Sequence, residues 1–166
     1  MELTQNPSVL ELVRKTAELT TPKEIVWIDG SEAQLESLRK IAVETGELIK
    51  LNEEKLPGCY LNRSDVNDVA RVEGRTFICS RTREEAGPTN NWMDPDEMKA
   101  KLHEILRCAM AGRTMYVIPY SMGVIGSPFA KYGIEVTDSI YVVLNMAIMT
   151  RIGTKVLDAL GDSSDV

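Results

Sequence analysis

Apolar positions along this chain recur at two spacings, one helical and one strand-like. Val9, Leu10, Val13 and Ala17 recur every three or four residues behind Asn6-Pro7. That predicts a helix capped by asparagine with proline in its first turn. Glu24 to Ile28 gathers Ile25, Val26 and Trp27 into a strand, and Asp29-Gly30 turns it. Ser31-Glu32-Ala33-Gln34 has the spacing of a capping box, in which serine and glutamine satisfy each other's backbone donors. Leu35, Leu38, Ile41 and Ala42 continue that helix, and Gly46 is placed as its left-handed terminator. Leu48 to Leu51 predicts a further short strand.

Residues 52–68 are polar and read as loop, with Pro57-Gly58 as a turn. Val69 to Val72 and Thr76 to Cys79 are strand candidates on either side of Glu73-Gly74-Arg75. Their proximity predicts an antiparallel contact and hence a mixed sheet. Residues 80–93 form a polar loop. Asp94-Pro95-Asp96-Glu97 opens another helix, which Gly112 closes. Met115 to Ile118 reads as a buried strand that feeds a Pro-Ser-Gly-Gly-Ser-Pro loop, and Ile134 to Val136 as a second strand. Asp138-Ser139 caps a helix carrying Tyr141, Val142, Leu144, Ile148 and Met149. Gly153-Thr154 starts a last short helix to Leu160, and the polar tail from Gly161 to Val166 is expected to fray. Helices alternating with strands, without a linker or repeat, predict one α/β domain over residues 1–166. Its expected form is a layered α/β/α arrangement around a mixed β-sheet.

Composition narrows the function. The 166 residues carry a net charge of −6, with 43% hydrophobic and 27% charged positions. An acidic chain with 5% aromatics lacks the basic face that a general nucleic-acid or membrane-surface binder needs. Ile140 to Ile152 is the richest apolar stretch, and at about 13 residues it falls short of the roughly 20 that span a bilayer. Cys59, Cys79 and Cys108 are odd in number and lack C-x-x-C spacing, so free thiols in a reducing cytoplasm are expected. No signal peptide is visible at the N-terminus.

Arginines cluster at Arg63, Arg71, Arg75, Arg81 and Arg83. A guanidinium donates two parallel hydrogen bonds to a carboxylate or phosphate, which suits small anionic metabolites. Arg71 stands apart because Val69, Ala70 and Val72 flank it. A lone charge in such a run must face water, a partner or a ligand. Ser121, Gly123, Gly126 and Ser127 form either an anion cradle or a tight turn after a buried strand. The phosphate-loop pattern is absent, and Gly-Lys occurs nowhere in the chain. His103, the only histidine, falls on the polar face of its helix with no metal partner. Asp94, Asp96 and Glu97 read as acids at a helix start.

Several runs together resemble the N-terminal part of GTP-dependent phosphoenolpyruvate carboxykinase. They are V-A-R-V-E at 69–73, R-T-M-Y-V-I-P-Y-S-M-G-V-I-G-S-P at 113–128, G-I-E-V-T-D-S at 133–139 and M-T-R-I-G at 149–153. The resemblance implies a gluconeogenic or anaplerotic lyase that converts oxaloacetate and GTP to phosphoenolpyruvate, carbon dioxide and GDP. It implies that Arg71 grips the carboxylate of oxaloacetate or phosphoenolpyruvate. It also implies that Glu73 matches a glutamate that helps hold a mobile lid over the closed site. The family's Mn2+ ligands, GTP-binding loop and guanine pocket have no counterpart up to Val166. A substrate-side portion truncated before the nucleotide-binding domain, inactive alone and with no catalytic or metal-binding residue of its own, is therefore expected. The complete enzyme is expected to be a monomer. The apolar surface near Tyr141 to Ile152 is expected to make the isolated portion self-associate. The alternative from the residues alone is a free-standing α/β module that binds a small anionic metabolite without chemistry.

Overall fold

The computed structural model describes residues 2–66 and 72–164. Among them are five α-helices: α1 (Pro7–Thr20), α2 (Glu32–Glu44), α3 (Pro95–Leu106), α4 (Ile140–Met149) and α5 (Thr154–Leu160). The strands are β1 (Glu24–Trp27), β2 (Ile49–Lys50), β3 (Tyr60–Leu61), β4 (Phe77–Ile78), β5 (Asn91–Trp92), β6 (Thr114–Met122), β7 (Lys131–Thr137) and β8 (Arg151–Ile152).

The central sheet is mixed. β6 pairs in parallel with β1, aligning Glu24 with Thr114 and Trp27 with Val117. It pairs antiparallel with β7 from Tyr116–Thr137 to Met122–Lys131, and antiparallel with β8 at Tyr120–Ile152 and Ser121–Arg151. Because β7 fills one edge of β6, β1 and β8 must share the other edge, end to end. Alternation along β6 divides the core. Tyr116 and Ile118 join Ile28, Leu35, Leu38, Val143 and Leu144 in one buried cluster. Met115 and Val117 join Val9, Val13, Trp27, Leu157 and Leu160 in the other.

β6 runs on through Pro119, where the sequence predicted a loop. The Pro119 carbonyl accepts from the Gly153 N–H at 2.9 Å on the edge shared by β1 and β8. In a strand the N and O of one residue point the same way, so the proline nitrogen faces that same edge. It falls just past the last parallel rung, Ile28 N to Val117 O at 2.9 Å, so the missing donor ends that ladder rather than interrupting it.

Local cap chemistry explains the helices. Asn6 Oδ1 accepts from Ser8 N and Val9 N, and its Nδ2 donates to the carbonyls of Gly161 at 2.7 Å and Ser163 at 2.8 Å. The tail expected to fray is therefore held to the start of α1 as far as Ser163. Asp94 caps α3 and Ser139 caps α4, as the sequence suggested. The helix before Gly112 ends sooner than expected. α3 stops at Leu106, and the following turn takes Cys108 into the left-handed region at φ 57°. That turn is pinned to the end of α1 by Cys108 N to Leu19 O and Met110 N to Thr20 O.

The capping box at Ser31 is half formed. Ser31 Oγ accepts from Gln34 N, but the Gln34 side chain turns back to β1. Its Oε1 accepts from Asp29 N at 2.9 Å and its Nε2 donates to Trp27 O at 2.9 Å. Ser31 N is satisfied by Asp29 Oδ1 instead. One glutamine amide thus closes the carboxyl end of β1, where the sheet can offer it no further partner.

Candidate substrate site and its surroundings

Arg71 and the V-A-R run before Val72 lie outside the described residues. The residues that follow are held by specific bonds. Glu73–Arg75 is a 3-10 turn in which Arg75 N and Thr76 Oγ1 both donate to Val72 O. Asn91 Nδ2 donates to the carbonyls of Glu73 at 2.8 Å and Thr76 at 3.2 Å, which fastens the turn to β5. Trp92 Nε1 donates to Ser80 O at 3.1 Å. The Glu73 side chain is exposed on this turn.

Apart from Val72, the strand expected at 69–72 lies outside the described residues, and so does its expected antiparallel pairing with 76–79. Among the described residues the partner of β4 is β5, in parallel, with Phe77 opposite Asn91 and Ile78 opposite Trp92. The helical turn spends the Val72 and Glu73 carbonyls on neighbours three and four residues on, which removes them from an antiparallel ladder. Residues 79–90 supply the dozen-residue return that a parallel pair needs. The sheet is mixed as predicted, but its antiparallel contacts come from β7 and β8.

The remaining sequence candidates separate in space. Arg63, Arg75, Arg81 and Arg83 are exposed. The 123–130 segment is a self-closed turn. Gly126 N donates to Tyr132 Oη, Ser127 N to Val124 O, Phe129 N to Ser127 Oγ and Ala130 N to Ser127 O. Ser121 is buried in β6 with its hydroxyl on Gly123 O. The Gly126 and Ser127 N–H groups are spent within the turn and are not offered to an anion. His103 is exposed on α3, and no group of three His, Cys, Asp or Glu side chains able to hold a metal occurs among the described residues.

Sequence reasoning missed the cleft where β1 and β8 meet. It measures about 940 Å3 and is lined by Asp29, Ser31, Val124, Thr150, Arg151 and Lys155 among others. Clefts at the carboxyl ends of parallel strands are the usual ligand position in open α/β sheets. A close backbone crossing forms its floor. Thr154 N donates to Asp29 O at 3.1 Å, and a Cβ on Gly153 would lie 2.1 Å from that same oxygen. A Cβ on Gly30 would lie 2.6 Å from Ile152 O. Glycine is needed on both chains because β8 runs head-on into the end of β1. The visible signal was a pair of glycines, Asp29-Gly30 and Ile152-Gly153, each ending an apolar run.

A second cleft of about 500 Å3 lies between α2, α4 and the β2–β3 ribbon, with Arg39, Cys59, Tyr60, Tyr141 and Ile148 in its walls. Arg39 is clamped by Glu32 at 2.5 Å and Glu36 at 3.1 Å, and these hydrogen bonds, the one to Glu32 foremost, raise its pKa.

Residues 11–166 match the phosphoenolpyruvate carboxykinase N-terminal domain, and the chain belongs to that family. It is 55% identical over 159 residues to "Phosphoenolpyruvate carboxykinase [GTP]" of Corynebacterium kroppenstedtii, covering 96% of this chain and 26% of that protein. Proteins of the same name from Neocallimastix frontalis and Anaeromyxobacter dehalogenans are each 54% identical. The first match covers 94% of the chain and 26% of the relative, and the second 98% and 27%. The chain therefore spans about a quarter of the length of these curated relatives.

Proposed function

We propose that this chain is the substrate-side part of a GTP-dependent phosphoenolpyruvate carboxykinase, which turns oxaloacetate and GTP into phosphoenolpyruvate, carbon dioxide and GDP. The observation that carries the reading is the family match, which spans V-A-R-V-E. In this reading Arg71 donates a bidentate pair to the substrate carboxylate and so fixes the angle at which the carbon skeleton meets the phosphoryl donor. Asn91 fastens the turn at Glu73–Arg75, which supports Glu73 as a contact residue held at a fixed place. Glu73, exposed two residues after Arg71, is assigned to contact a lid supplied by the rest of the enzyme.

Manganese stabilises the enolate formed on decarboxylation when it is bound. The described residues do not fit such an ion, having no cluster of three candidate ligands. We assign metal and GTP to the longer part of the relatives that this chain does not match. The two buried clusters on alternate faces of β6 support a three-layered α/β/α domain over residues 1–166. No helix among the described residues is long and apolar enough to cross a membrane. Exposed Cys59, Cys79 and Cys108 fit a reducing cytoplasm. We assign the complete enzyme as a monomer.

The test is a graft of residues 1–166 into the Corynebacterium kroppenstedtii protein in place of its matching quarter. Arg71→Ala in that graft should lower kcat/KM for oxaloacetate by about a hundredfold or more, the loss expected when a bidentate positioning contact disappears. A change within about threefold, the scale of an ordinary surface substitution, would show that Arg71 has no such role.

A further inference from the structure

Helix α4 is more apolar than its surroundings explain. Its sequence, I-Y-V-V-L-N-M-A-I-M, has one polar residue, Asn145, whose Nδ2 is spent on Tyr141 O at 2.8 Å. A helix that is apolar all round is one meant to be buried all round. Here Ile140, Val143 and Leu144 are buried and Val142, Met146 and Ala147 pack partly against the same cluster, which leaves one stripe uncovered. Along it Ile148 is 82% exposed, Met149 75% and Tyr141 41%. This outward face forms a ridge between the two clefts, since Ala147 lines the first and Tyr141 and Ile148 line the second. Val124, 65% exposed, stands on the opposite wall of the first cleft.

We propose that the outward face of α4, with the cleft on either side of it, is the seat on which the rest of a full-length carboxykinase polypeptide docks. The inference rests on the function proposed above. The occupant follows from length: three-quarters of each relative lies outside the match, whereas α4 lies wholly within it. The matching surface must be apolar opposite Ile148 and Met149. At the first cleft it meets a rim of both signs, Arg151 and Lys155 with Asp29 and Glu32, and must be polar there. Contiguous exposed apolar side chains such as these mark interaction sites.

The test compares peroxide oxidation of Met149, read by mass spectrometry, in the 166-residue chain and in the grafted full-length enzyme. Oxidation follows exposure, so burial of a side chain that is 75% exposed should slow the reaction in the graft about fivefold or more. In parallel, Ile148→Lys, a cation suited to the helix end, should move the unfolding midpoint of the chain alone by less than about 2 °C, since the side chain is 82% exposed there, yet lower that of the graft by several times as much. Equal oxidation rates in chain and graft would overturn the proposal. So would a graft in which Met149 is protected only when the full-length enzyme dimerises, because a second copy would then be the occupant. If the graft does not fold, the same oxidation is read on the chain mixed with the separately expressed remainder of the relative. A graft that makes phosphoenolpyruvate with Met149 unprotected refutes the docking seat alone. A graft that protects Met149 but makes none refutes the proposed function alone.

Discussion

Gly153→Ala tests the crossing beneath the first cleft. Gly153 sits at φ 100° and ψ −160°, a region open essentially to glycine, where any other residue costs roughly 1–3 kcal/mol. The added methyl would also lie 2.1 Å from the Asp29 carbonyl oxygen and 2.4 Å from its carbon. Those atoms are backbone, so relief requires β8 to move away from the end of β1. That movement weakens Thr154 N to Asp29 O and Gly153 N to Pro119 O, each worth about 0.5–1.5 kcal/mol net. The expected loss is therefore about 3–5 kcal/mol, a large share of the stability of an ordinary domain. Gly126→Ala is the control. Gly126 also has positive φ, at 83°, but a Cβ there meets nothing within 4 Å, so the cost is confined to about 1–2 kcal/mol. Urea unfolding followed by tryptophan fluorescence reads both variants, since Trp27 is buried in the core. If Gly153→Ala lies within about 1 kcal/mol of Gly126→Ala, the steric account of the crossing is wrong.

Four further outcomes are expected. Asn6→Ala removes a helix cap and two bonds to the chain end, and should cost about 2–4 kcal/mol in the same unfolding assay, with faster amide exchange around Gly161. Glu47→Ala removes the oxygen that accepts from Ser139 Oγ at 2.7 Å and Tyr141 N at 2.9 Å, and should destabilise the start of α4 by about 1–3 kcal/mol. Burial raises the pKa of Tyr116 above its ordinary 10.0, so the folded state favours the neutral phenol. Its contribution is present below pH 10.0 and is lost as pH rises through the folded value, so Tyr116→Phe should flatten stability against pH in that alkaline range. Finally, the 166-residue chain alone should form no phosphoenolpyruvate from oxaloacetate and GTP in a coupled assay.

Legibility followed the range of the forces involved. Asn6, Ser31, Asp94 and Ser139 announced their helices because a cap acts within three residues, and the sequence window contains both partners. β3, β5 and β8 were invisible because two-residue strands have no periodicity of their own. Tyr60, Trp92 and Ile152 become strand residues only beside partners far away in sequence. Pro119 misled because proline in a central strand normally ends it, and the end of the parallel ladder that excuses it is a tertiary fact. Gln34 misled in the same way, since its pull towards Trp27 O depends on where β1 stops. For the site, residue chemistry set Arg71 apart by its apolar flanks but left water, partner and ligand open, and it was the resemblance to a family that assigned it a substrate. The cleft at Arg151 and the bare face of α4 emerge only when β8 and α4 are set beside β6.

The most direct measurement is phosphoenolpyruvate formation by the full-length graft that carries residues 1–166. The account predicts GTP-dependent turnover of oxaloacetate within about tenfold of the parent enzyme, as expected if the grafted part keeps the geometry and Arg71 has the role proposed for it. A graft that is folded by circular dichroism and binds GTP, yet forms no phosphoenolpyruvate, would contradict it.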